Sequence, residues 1–393
     1  MAAERVVRRV RHRRFAPAPL TGATARAAAS VVLAVLLAAC SGANRSPGST
    51  ASSAPTTANP GSATASPTSP VAPSTGSGQA VTMVFGGDTA IRGPSVKLLE
   101  ADPASVFGPI TEQLTGADLA LLNLETAITT GPATPEDKEF TFSTGPEVFD
   151  ALRAAGVDGV SMANNHAVDF GVDGLAQSLD AIDADGFPVV GIGRDEAAAY
   201  APHVFEVNGQ RIAVLGTTEV IDSQLVKTWT ATDSQPGLSS AKRVDRLVEA
   251  VRAARTDADT VVVLIHWGTQ YVPCPTDVQL ELADALTEAG ADIVVGGHQH
   301  RVGGAGFYGS ALVGYGLGNF LFSASSPAAS HSGLLEVTAT GRRIDGYRWI
   351  PAVINDDAQP IPVPPDVRPY RGLMNDWNAL RTCTDLTADR RDG

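Results

Sequence analysis

Side chains able to bind a metal stand just after apolar, β-branched runs of this sequence, where the ligands of an α/β protein are expected. Five such runs end at residues 85, 122, 162, 265 and 295. The side chains that follow them are Asp88, Glu125, Asn164, Asn165, His166, His266, His298 and His300. In open α/β sheets, ligands bind beyond the carboxyl ends of the strands. If one parallel sheet contains these runs, all five ends meet at one edge and form a metal centre.

Each of these residues alone also has an ordinary structural explanation. Asp88 after two glycines could form a turn or cap a helix, and Glu125 could be a surface carboxylate. His166 could be a hydrogen-bonded loop histidine. The segment Gly-Gly-His298-Gln-His300 is the most specific, because two imidazoles on a glycine-freed loop can serve two adjacent ions. Taken together, the set favours a metal centre.

The runs alternate with stretches of helical spacing, which predicts an α/β fold. The predicted strands are 81–85, 119–122, 157–162, 189–192, 212–215, 260–265 and 293–295, and the clearest predicted helices are 147–155, 171–184, 241–255 and 277–289. Short buried strands separated by helices are typical of largely parallel sheets covered on both faces. Three later runs without helices between them, 311–315, 334–340 and 344–354, predict an antiparallel C-terminal addition.

Residues 1–40 have the features of an export signal. Seven arginines and one acid flank or precede the apolar stretch 27–39, which ends at Cys40 and is followed by Ser41 and Gly42. A basic segment before a short apolar region indicates secretion. The terminal cysteine resembles that of a bacterial lipoprotein signal, in which Cys40 becomes lipidated; an ordinary signal or a short buried helix are the alternatives. We expect an extracytoplasmic protein that is lipid-anchored to the cell membrane.

The rest of the chain divides into a linker, a domain and a tail. Residues 41–79 are almost entirely Ser, Thr, Pro, Ala and Gly, without an aromatic or acidic residue. Such a segment buries too little apolar surface to fold, so we predict a disordered tether. Residues 80–355 are the predicted folded domain, and residues 356–393 are a tail predicted to wrap it.

Charge and cysteine usage exclude several classes of protein. The net charge is −13, and residues 80–393 are more negative still because the first forty residues are basic. This argues against nonspecific nucleic-acid binding, which depends on lysine and arginine. Three cysteines exclude a zinc module built on four thiolates. After lipidation of Cys40, Cys274 and Cys383 remain as an even pair, and we predict a disulfide that pins the tail beside the loop after His266.

The motifs, in their order, resemble those of the CapA family of poly-γ-glutamate capsule-synthesis proteins. The matching segments are Gly-Asp88, Asn-Leu-Glu125, Asn-Asn-His166, His266-Trp-Gly, Gly-His298-Gln-His300 and Leu-Gly-Asn319-Phe. The resemblance covers about residues 81–355. The family is similar to the calcineurin-like metallophosphoesterases, so the resemblance implies their fold, with sheets flanked by helices.

The resemblance also implies a centre of two divalent ions. The implied ligands are Asp88 and His300 for the first ion, Asn165, His266 and His298 for the second, and Glu125 as the bridge. Oxygen and imidazole donors suit Mn²⁺, Fe or Zn²⁺. His166 would be the catalytic acid beside the ions. Ala90 occupies the position of a metallophosphoesterase histidine ligand, which leaves the first ion one ligand short.

Four further residues are candidates for substrate contact. Arg92 and Arg301, each close to a ligand in sequence, could neutralise an anionic substrate or could be solvated surface arginines. Asn319 could support the site or form a tight turn, and Asn164 stands beside a ligand.

The leading hypothesis is a metal-dependent hydrolase of phosphoesterase type that acts in poly-γ-glutamate synthesis, export or attachment. Its substrate would be an anionic cell-envelope polymer or a phosphoester. Its protein partner would be a membrane synthase or export complex. Nucleic acid is not expected as a partner. One alternative is an enzyme that cleaves or transfers an amide of the polymer on the same centre. Another is a non-catalytic, polymer-binding scaffold for a membrane synthase.

Overall fold

The computed structural model describes residues 76–390. The predicted signal, Cys40 and nearly all of the predicted linker lie outside these residues. Within them, no helix combines the length and the apolar character that crossing a membrane requires. The strands are β1 Val81–Thr89, β2 Leu119–Leu124, β3 Ala127–Ile128, β4 Ser143–Thr144, β5 Gly159–Ser161, β6 Val189–Val190, β7 Ile192–Gly193, β8 His203–Val207, β9 Gln210–Thr218, β10 Gly237–Leu238, β11 Thr260–His266, β12 Ile293–Gly297, β13 Ala305–Tyr308, β14 Ala311–Gly314, β15 Asn319–Leu321, β16 His331–Thr340, β17 Arg343–Ile354 and β18 Pro360–Pro362. The α-helices are α1 Pro94–Ala101, α2 Thr111–Thr115, α3 Val148–Ala154, α4 Gly171–Asp185, α5 Glu196–Ala199, α6 Val226–Trp229, α7 Val244–Asp257, α8 Asp277–Ala289 and α9 Pro369–Leu380.

Two large mixed sheets carry these strands. The first has the order β18-β17-β16-β1-β2-β5-β6, with β15 added beside the end of β1, and the second has the order β13-β14-β12-β11-β9-β8. The strands from β1 to β6 in the first sheet are parallel, as are β9, β11, β12 and β14 in the second. The predicted α/β class with largely parallel sheets is therefore confirmed.

Alternation along the strands explains why there are two sheets. On β1, Met83 and Phe85 pack in a cluster with Val262 and Leu264 of β11, between the sheets. Val84, which points the opposite way, packs in a cluster with residues of α2, α3 and α4. The opposite face of β11 packs against α7 and α8. Because both faces of each central strand are apolar, each sheet needs a covering layer on either side. The predicted single edge is therefore wrong: the five strand ends belong to two stacked sheets.

Helix α8 shows how local sequence places one of the ligand strands. It begins with a capping box, in which Thr276 Oγ1 accepts a hydrogen bond from the Gln279 backbone and Gln279 Oε1 accepts one from the Thr276 backbone. It ends at Gly290 in the left-handed conformation, with φ of 113°. These signals define both ends of the helix, and buried Leu282 and Leu286 hold it on the second sheet before β12 begins.

The later strands differ in part from the prediction. The hairpin β16–β17 is antiparallel and extends the first sheet from β1, as predicted. In contrast, β14 joins the second sheet, where it pairs antiparallel with β13 and in parallel with β12. The predicted strand 189–192 is divided at Gly191, whose φ of 90° sends β7 away to pair with β10.

The C-terminal residues lie along both sheets. Strand β18 pairs with β17, and Thr387 pairs with Phe307 of β13. Trp377 of α9 stacks on Trp349 of β17, with ring centroids 5.9 Å apart. A disulfide joins Cys274 to Cys383 in the structure, so the end of α9 is held beside the loop after β11.

Candidate metal centre

The carboxyl ends of both sheets meet, and the side chains singled out in the sequence lie there. The first sheet contributes Asp88 in β1, Glu125 after β2 and the turn 164–166 after β5. The second contributes His266 at the end of β11 and the loop 298–300 after β12. Asp88 and Glu125 are completely buried. A charged pair in such a position requires compensation by cations or hydrogen bonds.

Asn123, in β2, connects the two sheets at this point. Its side-chain amide donates a hydrogen bond to Asp88 Oδ1 at 2.8 Å and lies 3.2 Å from His266 Nδ1. Its side-chain oxygen accepts a hydrogen bond from Asn164 Nδ2 at 3.2 Å. Asn164 is fully buried, and its own oxygen accepts from the His166 backbone at 3.0 Å. The structure thus places Asn164 inside the framework of the site, where it holds the turn that carries His166.

Two groups of side chains in the described part of the chain could each hold a metal ion. Within each group, the ligand atoms all lie within 4.8 Å of one another. The groups are Asp88, Glu125 and His300, and Glu125, His266 and His298. Glu125 belongs to both. Asn165 adds a side-chain oxygen 2.8 Å from His266 Nε2.

Unsatisfied polar atoms show that these groups fit metal ions. Both carboxylate oxygens of Glu125 and the Nδ1 atom of His298 are buried without a hydrogen-bond partner among residues 76–390. A buried charge left in this way is costly, and such groups call for a missing ion or water. Oxygen and imidazole donors together are the ligands that Mn²⁺, Fe and Zn²⁺ accept.

The two buried carboxylates ionise at very different pH. Burial, together with the negative charge of Asp88, raises the pKa of Glu125 to about 7. Burial acts to raise the pKa of Asp88 as well, but the hydrogen bond and positive charge of His300 lower it to about 2. Burial disfavours the His300 cation, yet the charges of Glu125 and Asp88 raise its pKa to about 9. Before an ion binds, Asp88 and His300 are therefore an ion pair at neutral pH.

The imidazoles of His266 and His298 are neutral at physiological pH. Burial lowers the pKa of His266 to about 4. Burial, followed by the neighbouring His266, lowers the pKa of His298 well below its usual value. A neutral imidazole offers its lone pair to a metal without first losing a proton.

The loop after β12 reaches the site through unusual backbone conformations. His298 and His300 have φ of 87° and 49°, in the left-handed region that side chains disfavour. The glycines of this loop were expected to provide its backbone freedom, but the left-handed positions are His298 and His300 themselves. Gly297 has a different purpose, because a Cβ there would lie 2.5 Å from Asp88 Oδ1. The glycine allows the loop backbone to approach the carboxylate.

His166 is held beside the ligands by its neighbours. Its Nδ1 atom lies 2.6 Å from Asp169 Oδ2, and Lys138 forms an ion pair with the other oxygen of Asp169. The Phe142 ring stacks on the imidazole with centroids 4.0 Å apart. His166 Nε2 lies 3.9 Å from Glu125 Oε1. An imidazole with one nitrogen held by a carboxylate and the other near the reacting groups is suited to general acid catalysis.

A cavity of about 310 Å³ opens over the site and is lined by His166, His300, Arg92 and Asn319 among others. The Arg92 guanidinium lies 4.3 Å from the centre of the Phe142 ring. Burial lowers the pKa of Arg92, and the charge of Glu125 opposes this. The cavity therefore presents a cation to any anion that enters it.

The remaining candidates lie in three different settings. Asn319 Oδ1 lies 2.8 Å from His300 Nδ1, so Asn319 supports this ligand as well as lining the cavity. Arg301 lines a separate cavity. Ala90 is completely buried in an apolar cluster with Phe142 and Phe322, where it offers no ligand atom.

Sequence reasoning missed several residues of the site. Asp169 follows His166 by three positions, and this spacing is a signal that a carboxylate partner could have been sought. Asn123 was part of a recognised motif, but its link between two sheets depends on their stacking. Lys138 and Phe142 come from the irregular segment before β4, and no periodic pattern points to them.

The sequence comparisons with known proteins agree on one family. The sequence profile described as "Bacterial capsule synthesis protein PGA_cap" matches residues 82–324. The PGA biosynthesis protein CapA of Bacillus subtilis is 31% identical over 295 residues, which cover 72% of this chain and 76% of that protein. The capsule biosynthesis protein CapA of Bacillus anthracis is 33% identical over 204 residues, covering 51% and 48%. A solved structure, the 5'-nucleotidase of Candida albicans, aligns with 77% of this chain and 58% of its own at 10% identity, with a TM-score of 0.38.

The close approach of Gly297 to Asp88 generates the first prediction. We expect Gly297→Ala to lower Mn²⁺ affinity about 10–100-fold, because the new methyl group displaces Asp88 from its ligand position. Isothermal titration measures the affinity. Gly346→Ala is the matched control, since a Cβ there meets nothing within 4 Å. Equal loss of affinity in both variants, or in neither, would contradict the prediction.

The pKa values of the metal-free site generate the second prediction. Glu125 and His300 must both lose a proton to become ligands, and their pKa values are about 7 and about 9. At pH 8 only His300 is still protonated, whereas at pH 6 both residues are. Binding of Mn²⁺ should therefore release about one proton at pH 8 and about two at pH 6, and affinity should fall as pH falls below 9 and more steeply below 7. Titrations in buffers of different ionisation enthalpy count the protons; equal release at both pH values would refute this account.

Proposed function

Because the chain belongs to the family of bacterial capsule synthesis proteins PGA_cap, we propose that it acts in the synthesis, export or attachment of a capsule polymer. The names of its Bacillus relatives, which refer to PGA and capsule biosynthesis, support this role. The polymer would be an anionic chain of the poly-γ-glutamate type. A membrane synthase or export complex would be the partner.

The activity proposed for the site is metal-dependent hydrolysis of a phosphoester-type bond. The observation that carries it is Glu125, a buried carboxylate with unpartnered oxygens that belongs to two ligand groups at once. Two divalent ions, of Mn, Fe or Zn, would be held by Asp88 and His300 on one side and Asn165, His266 and His298 on the other. Bound ions would supply Lewis-acid activation of water and of the bond to be cleaved.

The chain's own residues would complete the reaction. Asp169 holds His166 through Nδ1, which leaves Nε2 to give its proton to the leaving group. Lys138 forms an ion pair with Asp169 and holds it in place. Arg92 would pair with the anionic part of the substrate, and the ring of Phe142 fixes its guanidinium.

A second candidate is cleavage or transfer of an amide bond of the polymer on the same centre. Ala90 favours it, because an apolar cluster stands where a metallophosphoesterase has a ligand. The first ion would then be bound by three residues and would be a weaker aid to phosphoester cleavage. The same observation is compatible with a third candidate, a polymer-binding scaffold without catalysis.

The place of action proposed is the outer face of the cell membrane. The basic residues before the apolar stretch 27–39, and Cys40 at its end, support lipid attachment. The tether 41–79 would then separate the domain from the membrane.

The dyad of His166 and Asp169 generates the third prediction. Full-length protein with Mn²⁺ should hydrolyse bis(p-nitrophenyl) phosphate, and His166→Ala should lower kcat about 10²–10⁴-fold through loss of the acid. Asp169→Asn should give a smaller loss. His203→Ala is the control, since His203 is exposed on β8.

The outcomes separate the three candidates. Unchanged kcat in His166→Ala would remove the acid from the mechanism. Shortening of a γ-linked glutamate oligomer without phosphodiester hydrolysis would select amide cleavage. Elemental analysis that finds no metal, together with no turnover, would select the scaffold.

The proposed anchor generates the fourth prediction. In the native bacterium, Cys40→Ser should move the protein from the detergent phase of a Triton X-114 partition to the aqueous phase, because no lipid can be attached. Cys383→Ser keeps Cys40 and should stay in the detergent phase. An identical distribution of both variants would contradict lipidation at Cys40.

A further inference from the structure

A second cavity, of about 250 Å³, lies beside the metal centre. It is lined by α9, by the start of β16 and by the chain that follows His300. Its lining residues include Arg301, His331, Trp349, Leu373, Trp377 and Leu380. The walls are thus mostly apolar, with one guanidinium, one imidazole and the carboxylate of Asp376 among them.

Arg301 is the guanidinium of this cavity, and it has no side-chain partner there. Its side chain is half-buried and forms no hydrogen bond or ion pair with any residue from 76 to 390. Two other arginines of the domain, in contrast, are paired with acidic residues: Arg348 binds Glu336 through two bonds, and Arg255 binds Asp292. In so acidic a protein, an unpaired guanidinium in a cavity favours binding of an external anion.

The same chain segments line this cavity and the cavity over the metal centre. The segment after β11 contributes Tyr271 to the cavity over the metal centre and Pro273 to the second cavity. The segment before β16 contributes Ser323 to the first and Ala328 to the second. His300 and Arg301 are consecutive in sequence, so a chain a few residues long can reach from one cavity to the other.

We propose that the second cavity is a subsite for an extended, carboxylate-bearing polymer whose neighbouring stretch lies at the metal centre. This inference rests on the proposed role in polymer synthesis. Arg301 would bind a carboxylate in bidentate fashion, and Trp377 and the two leucines would contact the methylene groups of the chain. The lining also includes Asp376, so a carboxylate with one charge fits better than a phosphate with two.

The test is binding of γ-linked glutamate oligomers to the full-length protein by isothermal titration. A decamer should bind more tightly than a dimer, because only the decamer reaches both cavities. Arg301→Gln should raise the Kd of the decamer about 10–100-fold and remove most of this length dependence. Arg301→Lys, which keeps the charge but loses the bidentate geometry, should lie between. Arg252→Gln, an exposed arginine on α7, is the matched control and should bind as the wild type does.

Three results would overturn the subsite. These are an unchanged decamer Kd in Arg301→Gln, an equal affinity of the wild type for dimer and decamer, and no binding of the decamer at all. Polyphosphate of similar length is the competing probe; if it binds as tightly and with the same dependence on Arg301, the carboxylate assignment is wrong. Binding that depends on Arg301 in a protein without hydrolysis would leave the subsite standing and reject only the proposed chemistry.

Discussion

The organisation of this domain depends on two carboxylates, Asp88 and Glu125, that are buried beside one another. Two negative charges in such a place cannot both persist without cations, and their pKa values of about 2 and about 7 express this conflict. His300, with its pKa raised to about 9, neutralises only one of them. The carboxylate oxygens of Glu125 still lack a partner, and a divalent ion would supply one. The stability of the site and its chemistry therefore have the same physical origin.

Stacked sheets place these groups with a precision that loops alone would not give. Asn123 contacts a carboxylate of its own sheet and an imidazole of the other, so the relative position of the sheets sets the distance between ligands. Gly297, which has no Cβ, permits the backbone after β12 to approach the Asp88 carboxylate closely. The left-handed backbone of His298 and His300 is a strain that the surrounding buried structure sustains, as is common at functional sites.

The sequence predicted the elements and brought out the side chains that gather at the candidate centre, because both depend on local patterns. Apolar runs identified the strands, and the residues just after them, such as Asp88 and His266, could be read directly. The division into two sheets could not be read, since Met83 and Val84 are both apolar and their partners lie far along the chain. The same is true of Lys138, whose contact with Asp169 joins an irregular segment to a turn.

An acidic protein that acted on the proposed polyanion would have to attract it locally while repelling it elsewhere. Arg92 in one cavity and Arg301 in the next are positive groups at or beside the ligand cluster, and bound ions would add to them. Repulsion from the remaining surface favours release of chain that has left the two cavities. A polymer would thus be held at the site of chemistry over a few units only. In the proposed role, which would require a long chain to pass, weak and local binding of this kind would be more useful than a wholly basic surface.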